Sequence, residues 1–155
     1  MKPTTFRRAE ASDAARLTEI ALAGKAYWGY PREWMELWRP DLVVTPHYLR
    51  SETVSVMECE GEPVGFTGLS VEDKDRQIEH LWLQPTLIGQ GLGRLLLDEA
   101  LRLARKERVR ELFVSSDPNA EGFYLKMGAV RIGQEVYRLP GGIQREVPRL
   151  VFRLA

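Results

Sequence analysis

Apolar and polar residues change period several times along the chain, and each change marks an element. Thr4 to Arg8 reads as a short strand. Ser12 then suits a helix cap with Asp13 in the first turn. Ala14, Leu17, Ile20, Ala21 and Ala23 or Gly24 fall at helical spacing, so that helix is predicted to end near Gly24 or run on toward Tyr27. Pro31 can open a second helix in which Trp34, Leu37 and Trp38 share one face. Thr45-Pro46 caps and starts a short turn ending near Arg50. It carries His47, a lone histidine whose ordinary role is structural. Thr53 to Cys59 and Pro63 to Val71 read as strands joined by the tight turn Glu60-Gly61-Glu62. The polar run Glu72 to Arg76 leads into a third strand of this meander, Ile78 to Leu83.

The strand stops at Pro85 and feeds a glycine-rich turn into an amphipathic helix, Leu92 to Lys106. Leu92, Leu95, Leu96, Ala100 and Leu103 form its predicted apolar stripe, while Asp98, Glu99, Arg102 and Arg105 face out. Asp98 and Arg102 make an i,i+4 pair in the favourable order, contributing about 0.3–0.5 kcal/mol at most. Leu112 to Ser115 is a further strand. Asp117-Pro118-Asn119 opens a helix that runs to Met127 and stops at Gly128. Val130 to Tyr137 is a strand, Pro140-Gly141-Gly142 a loop, and Arg149 to Leu154 the closing strand. With 155 residues, no internal repeat and no linker, residues 1–155 are predicted to form one domain.

Charge removes some function classes. Lys+Arg and Asp+Glu balance at 22 each, which provides no general field for nucleic acid or an anionic membrane. The basic run Arg102 to Arg110 suits the C-terminal end of a helix. Cys59 is the only cysteine, so no internal disulfide forms and a reducing compartment is predicted. With no histidine near it in sequence, Cys59 reads as a small buried or half-buried residue. Met1-Lys2-Pro3-Thr4-Thr5 lacks a signal-peptide core, and no apolar run approaches the roughly 20 residues that span a bilayer. A cytoplasmic protein is the expectation, with no metal.

The candidate chemistry centres on Ile78 to Lys106. Free N–H groups at a helix start, reached through a turn holding Gly89, Gly91 and Gly93, make an anion site suited to phosphates. The turn is not a P-loop, because no Lys-Ser or Lys-Thr follows its last glycine. The meander before it fits the dinucleotide fingerprint poorly. Arg94 in the first helical turn opposes the dipole preference, which makes sense if an anion arrives, although a solvated arginine explains it equally well. Three of the four tryptophans fall between Lys25 and Pro40. There Tyr27, Trp28 and Trp34 are candidates for a substrate-facing wall as well as for core packing. Glu33, Glu36 and Asp41 nearby offer weak attraction for a cationic amine.

Glu79-His80-Leu81-Trp82-Leu83-Gln84-Pro85, followed by Gly89-Gln90-Gly91-Leu92-Gly93-Arg94-Leu95-Leu96, resembles the GCN5-related N-acetyltransferase (GNAT) superfamily. A second block, Asn119 to Ala129, and the hairpin Gly61 to Gly65 carry the same resemblance, which covers most of the chain. It implies an α/β fold: a mixed, mainly antiparallel sheet of about six or seven strands with helices on both faces. It also implies acetyl-CoA or a related acyl-CoA as co-substrate. The pyrophosphate loop would fall on Ile88, Gly89, Gln90, Gly91, Leu92 and Gly93, with Arg94 opening the helix. Ile88 stands where the family often has Gln or Arg. The backbone of Leu81, Trp82 and Leu83 would pair with the pantetheine arm, with the Leu83 N–H polarising the thioester carbonyl and Asn119 bonding the arm. Tyr124 matches the tyrosine that protonates the departing thiolate.

Glu79 is the leading candidate for general base, since a carboxylate on a central strand needs either a task or a cationic partner. His80 is the runner-up, placed by strand alternation on the opposite face from Glu79 unless a bulge intervenes. The predicted activity is acetyl transfer to a primary amine, with a non-catalytic acyl-CoA sensor as the alternative and a nucleotide-binding module as a third. The acceptor is not named by these motifs. Its pocket would draw on Tyr27 to Trp38 and Val136 to Val147, and exposed tryptophans or the last strands could support a homodimer.

Overall fold

The predicted meander grows into one seven-stranded mixed sheet in a computed structural model that describes residues 3–155. Met1 and Lys2, part of the N-terminal stretch considered above, lie outside the described residues. The strands are β1 (Thr4–Arg8), β2 (Thr53–Cys59), β3 (Glu62–Glu72), β4 (Asp75–Leu83), β5 (Glu111–Ser115), β6 (Val130–Leu139) and β7 (Ile143–Arg153). Their order is β1-β2-β3-β4-β5-β7-β6, and every neighbouring pair is antiparallel except β4 and β5. Strand β7 begins at Ile143 rather than Arg149, because the Pro140–Gly142 turn brings Ile143 back opposite Leu139.

Helices α1 (Ala14–Ala26), α2 (Arg32–Leu42) and α3 (Pro46–Ser51) cover one face. Leu17, Ile20, Leu42 and Leu49 pack there on Val54, Val56 and Phe66. Helices α4 (Leu92–Lys106) and α5 (Glu121–Lys126) cover the other. There Leu97, Ala100, Ala104 and Tyr124 pack on Leu69, Ile78, Leu112, Leu150 and Phe152, and Leu92 and Leu96 pack on Met57 and Val64. Burying apolar faces on both sides of the sheet is the main favourable contribution to the fold.

Three local expectations change. Glu10, not Ser12, is the cap of the first helical segment, and Asp13 completes a capping box: its carboxylate accepts from the Glu10 N–H at 2.8 Å. Arg7 on β1 holds that carboxylate with two bonds of 2.8 Å, so the acceptor is fixed from the neighbouring strand. Helix α4 is buried on a rotated and wider face, with Leu97, Leu101 and Glu99 inside and Leu95 exposed. Glu99 reaches the β2 hydroxyl of Ser55 at 2.6 Å and pairs with Arg102 at 2.7 Å, displacing the predicted Asp98–Arg102 pair. On α2, Trp34 and Trp38 pack on Tyr30 at ring separations of 5.9 and 4.9 Å, while Leu37 stays exposed.

One irregularity positions the site. The register of β3 against β4 passes from Gly68↔His80 to Leu69↔Ile78, which leaves Glu79 as an extra residue. Such a bulge re-aims the side chains around it. Ile78 joins the α4 side, whereas the His80 ring packs on Phe66 and Tyr48 on the α1 side. Simple alternation would have put both on one face.

Candidate active site

Parallel strands β4 and β5 share one registered pair among the described residues, Gln77↔Phe113. Beyond it they part, and the β5-facing edge of β4 from Glu79 onward borders a cavity of about 480 Å³. That size suits a small ligand or the arm of a larger one. The cavity is continuous from Gly89 and Arg94 at one end, past Leu81, Leu83 and Tyr124, to Lys25, Tyr27 and Trp28 at the other.

The glycine turn forms the first end. Gly89 and Gly91 have φ of 90° and 80°, and a Cβ built on either would meet open space. Their backbone is therefore exposed to an incoming group, in a conformation that a side chain would strain. Gly91 is also the residue before α4, and no side chain caps that helix. Its first N–H groups are left for a ligand or water. Ile88, Gly93 and Arg94 line the same end, whereas Leu92 is buried in the core and Gln90 is exposed outside the lining.

Strand β4 supplies the middle. Leu81, Trp82, Leu83 and Glu79 line the cavity. Trp82 lies against α1, where a Cβ on Gly24 would come within 2.6 Å of the indole. The Trp82 Nε1–H donates to His80 Nδ1 at 3.0 Å. The histidine proton is therefore on Nε2, and burial lowers the His80 pKa despite the opposing charge of Glu79. His80 is buried and is not among the lining residues. Tyr48 packs on His80, and its buried hydroxyl has no hydrogen-bond partner among the described residues. Burial, with the Glu79 charge next in size, raises the Tyr48 phenol.

Opposite stand α5 and the turn before it. Tyr124 is 6% exposed, lies edge-on to Phe123 and Phe152, and lines the cavity. Burial raises its phenol above the usual tyrosine value, and the Asp117 charge adds to this. Asn119 also lines the cavity, but its amide is engaged: Nδ2 donates to the Tyr30 hydroxyl at 2.9 Å and to Asp117 Oδ1 at 3.0 Å.

Asp117 is the centre of a cluster that motif reasoning missed. Its carboxylate accepts from Lys25 Nζ at 2.7 Å, Tyr30 at 2.8 Å, the Asn119 N–H at 2.8 Å and Arg145 Nη2 at 3.3 Å. Arg145 also donates to Tyr30 at 3.0 Å. The charged ends of Lys25 and Arg145 lie 4.4 and 4.9 Å from the Trp38 ring centre. Trp34 packs behind this group, outside the cavity lining, whereas Tyr27 and Trp28 form an exposed edge-to-face pair at its mouth. The available signal was Lys25 at the head of the aromatic segment and Arg145 inside the stretch predicted to border the acceptor. Among the described residues, no group of three metal-ligating side chains occurs, and no helix is long and apolar enough to cross a membrane.

Comparison with known proteins agrees with this architecture. A Bacillus subtilis (strain 168) protein named "Putative [ribosomal protein bS18]-alanine N-acetyltransferase" is 32% identical over 103 residues, 64% of this chain. The match spans 58% of that relative's length, under two thirds. The crystal structure of a Rhodopseudomonas palustris GCN5-related N-acetyltransferase superposes with a TM-score of 0.82 at 24% identity, covering 99% of this chain and 98% of that one. The PaiA N-acetyltransferase of Thermoplasma acidophilum, solved with coenzyme A, gives 0.74 at 19% identity, covering 98% and 99%. At these identities the two structures bear on the fold. Residues 41–140 match the model of the acetyltransferase (GNAT) domain, and with that match the chain belongs to the GNAT acetyltransferase family.

Proposed function

We propose that the protein transfers the acetyl group of acetyl-CoA to a primary amine. The observation that carries this is the continuity of one cavity from the uncapped start of α4, along the unpaired edge of β4, to Tyr124 and the aromatic mouth. Backbone N–H groups of Ile88, Gly89, Gly91 and Gly93 suit the pyrophosphate, with Arg94 beside them. The free edge at Leu81, Trp82 and Leu83 suits the amides of the pantetheine arm, and the side-chain oxygen of Asn119 is left to accept from it. Acetyl-CoA, when bound, supplies the thioester. The Leu83 N–H is assigned to its carbonyl oxygen, where charge builds during the reaction.

Glu79 is assigned as general base, acting through water. As the amine nitrogen bonds to the acetyl carbon and the C–S bond breaks, Glu79 takes the amine proton. Tyr124 gives its phenolic proton to the departing sulfur, and the proton held by Glu79 returns to the tyrosine through solvent. The cavity position of Glu79 and the burial of His80 favour Glu79 over His80. An amine acceptor also fits the name of the Bacillus subtilis relative, and a CoA donor fits the Thermoplasma acidophilum complex.

The test is acetyl-CoA-dependent thiol release across a panel of small amines, amino acids, polyamines and peptides. Release with at least one acceptor, accompanied by its acetylated product, is expected. Tight CoA binding without release across the whole panel would replace this proposal with the non-catalytic sensor. The loop assignment has its own check. Gly91→Glu adds a side chain at φ 80° and a negative charge, so calorimetry should find CoA binding weakened by about tenfold or more. Unchanged affinity would place the pyrophosphate elsewhere.

A further inference from the structure

The Asp117 cluster holds two cations against one carboxylate. Lys25 and Arg145 side chains are 13% and 12% exposed, and Asp117 is 10% exposed. Withdrawing an unmatched charge from water is costly. The Trp38 and Tyr30 rings offset part of that cost through cation–π contact with both cations. Burial pushes the Lys25 ammonium below the usual lysine value, against the pull of Asp117. Donors are also left over. An ammonium has three and a guanidinium five. Among the described residues Lys25 donates only to Asp117, and Arg145 only through Nη2. A satisfied structural ion pair would need one cation, not two.

The surplus lies at the acceptor end of the site. Lys25 lines the cavity together with Glu79 and Tyr124, and the exposed pair Tyr27 and Trp28 flanks it. We infer that the acceptor is a small amine that carries its own carboxylate, an amino acid, and that Lys25, backed by Arg145, binds that carboxylate while Tyr27 and Trp28 border its side chain. This rests on the acetyl-transfer reading and narrows it. A second negative group would complete the charge balance of the cluster, and the leftover ammonium donors suit carboxylate oxygens. A polyamine or a peptide amide offers no such group.

The product side allows a test that does not depend on turnover. N-acetyl derivatives of glycine, leucine, phenylalanine and glutamate, and the matching α-carboxamides, are titrated calorimetrically into CoA-saturated protein. At least one acid should bind about ten- to hundredfold more tightly than its amide, the range of one hydrogen bond to a charged group. Lys25→Met should remove that difference, while thermal unfolding stays near wild type because Asp117 and Arg145 remain as a matched pair. Acids and amides binding alike, no acid binding, or an acid preference that survives in Lys25→Met would each overturn the inference. The wild-type comparison decides it alone if the variant fails to fold. Acetyl transfer to amines that lack a carboxylate, with equal efficiency, would overturn the amino-acid assignment and leave the acetyltransferase intact. Absence of transfer to every amine would fall on the acetyl-transfer reading instead.

Discussion

Replacing Asp117 with asparagine should lower the free energy of unfolding by about 3–5 kcal/mol, the usual cost of removing one partner from a buried ion pair. The substitution keeps the shape and removes the charge. Lys25 and Arg145 would then lack their shared counter-charge, both nearly buried against the Trp38 ring. Burial alone would raise the Asp117 carboxyl, yet the Lys25 charge and the hydrogen bonds around it hold it below the usual carboxylate range. That direction marks a carboxylate stabilised by its surroundings in the ionised state. The loss should appear as a lower midpoint in urea unfolding followed by circular dichroism. The Asn119 turn should persist, since its N–H and its side-chain amide both donate to Oδ1, which asparagine keeps, whereas Lys25 and Arg145 lose their Oδ2 acceptor. A change below about 1 kcal/mol, the range of an exposed pair, would mean that the two cations are solvated rather than held. Because the cluster is over-supplied with cations, Lys25→Met should cost far less than Asp117→Asn.

That asymmetry also explains what could be foreseen from the chain. Local chemistry was legible: the Glu60-Gly61 hairpin, the Thr45 cap accepting from Tyr48, the glycine turn into α4 and the stop at Gly128 each depend on a few consecutive residues. The part of the cavity proposed for the cofactor follows from these local elements, together with the family resemblance of the Asn119–Tyr124 block. The part proposed for the acceptor does not. Lys25 meets Asp117 across 92 positions and Arg145 meets Tyr30 across 115, so no spacing rule connects them. The bulge at Glu79 is equally invisible, because an extra residue is defined only against the partner strand β3. Glu99 read as an outward charge until Ser55 on β2 supplied the buried partner. In each case tertiary contact overrode a correct local rule.

Tyr124→Phe should lower kcat by about a hundredfold, the lower range of general acid catalysis, while CoA affinity stays within about twofold of wild type. The ring is a packing element as well as the proposed donor: it sits 5.3 Å from Phe123 and 6.2 Å from Phe152, and phenylalanine preserves both contacts. Only the hydroxyl is removed, and that group has no hydrogen-bond partner among the described residues. A fold defect therefore cannot mimic the loss. The pH profile adds a second constraint. The donor must be protonated, so its contribution is present below its pKa and disappears as pH rises through it. Burial has moved that pKa above the ordinary tyrosine value of about 10. Wild-type turnover should then show no descending limb from Tyr124 through the neutral and mildly alkaline range. Stopped-flow or steady-state thiol release, with calorimetry for affinity, separates the outcomes. An equal fall in kcat and CoA affinity would make Tyr124 a binding residue. Unchanged turnover would assign protonation of the sulfur to water, leaving alignment along β4 and the general base as the remaining sources of rate acceleration.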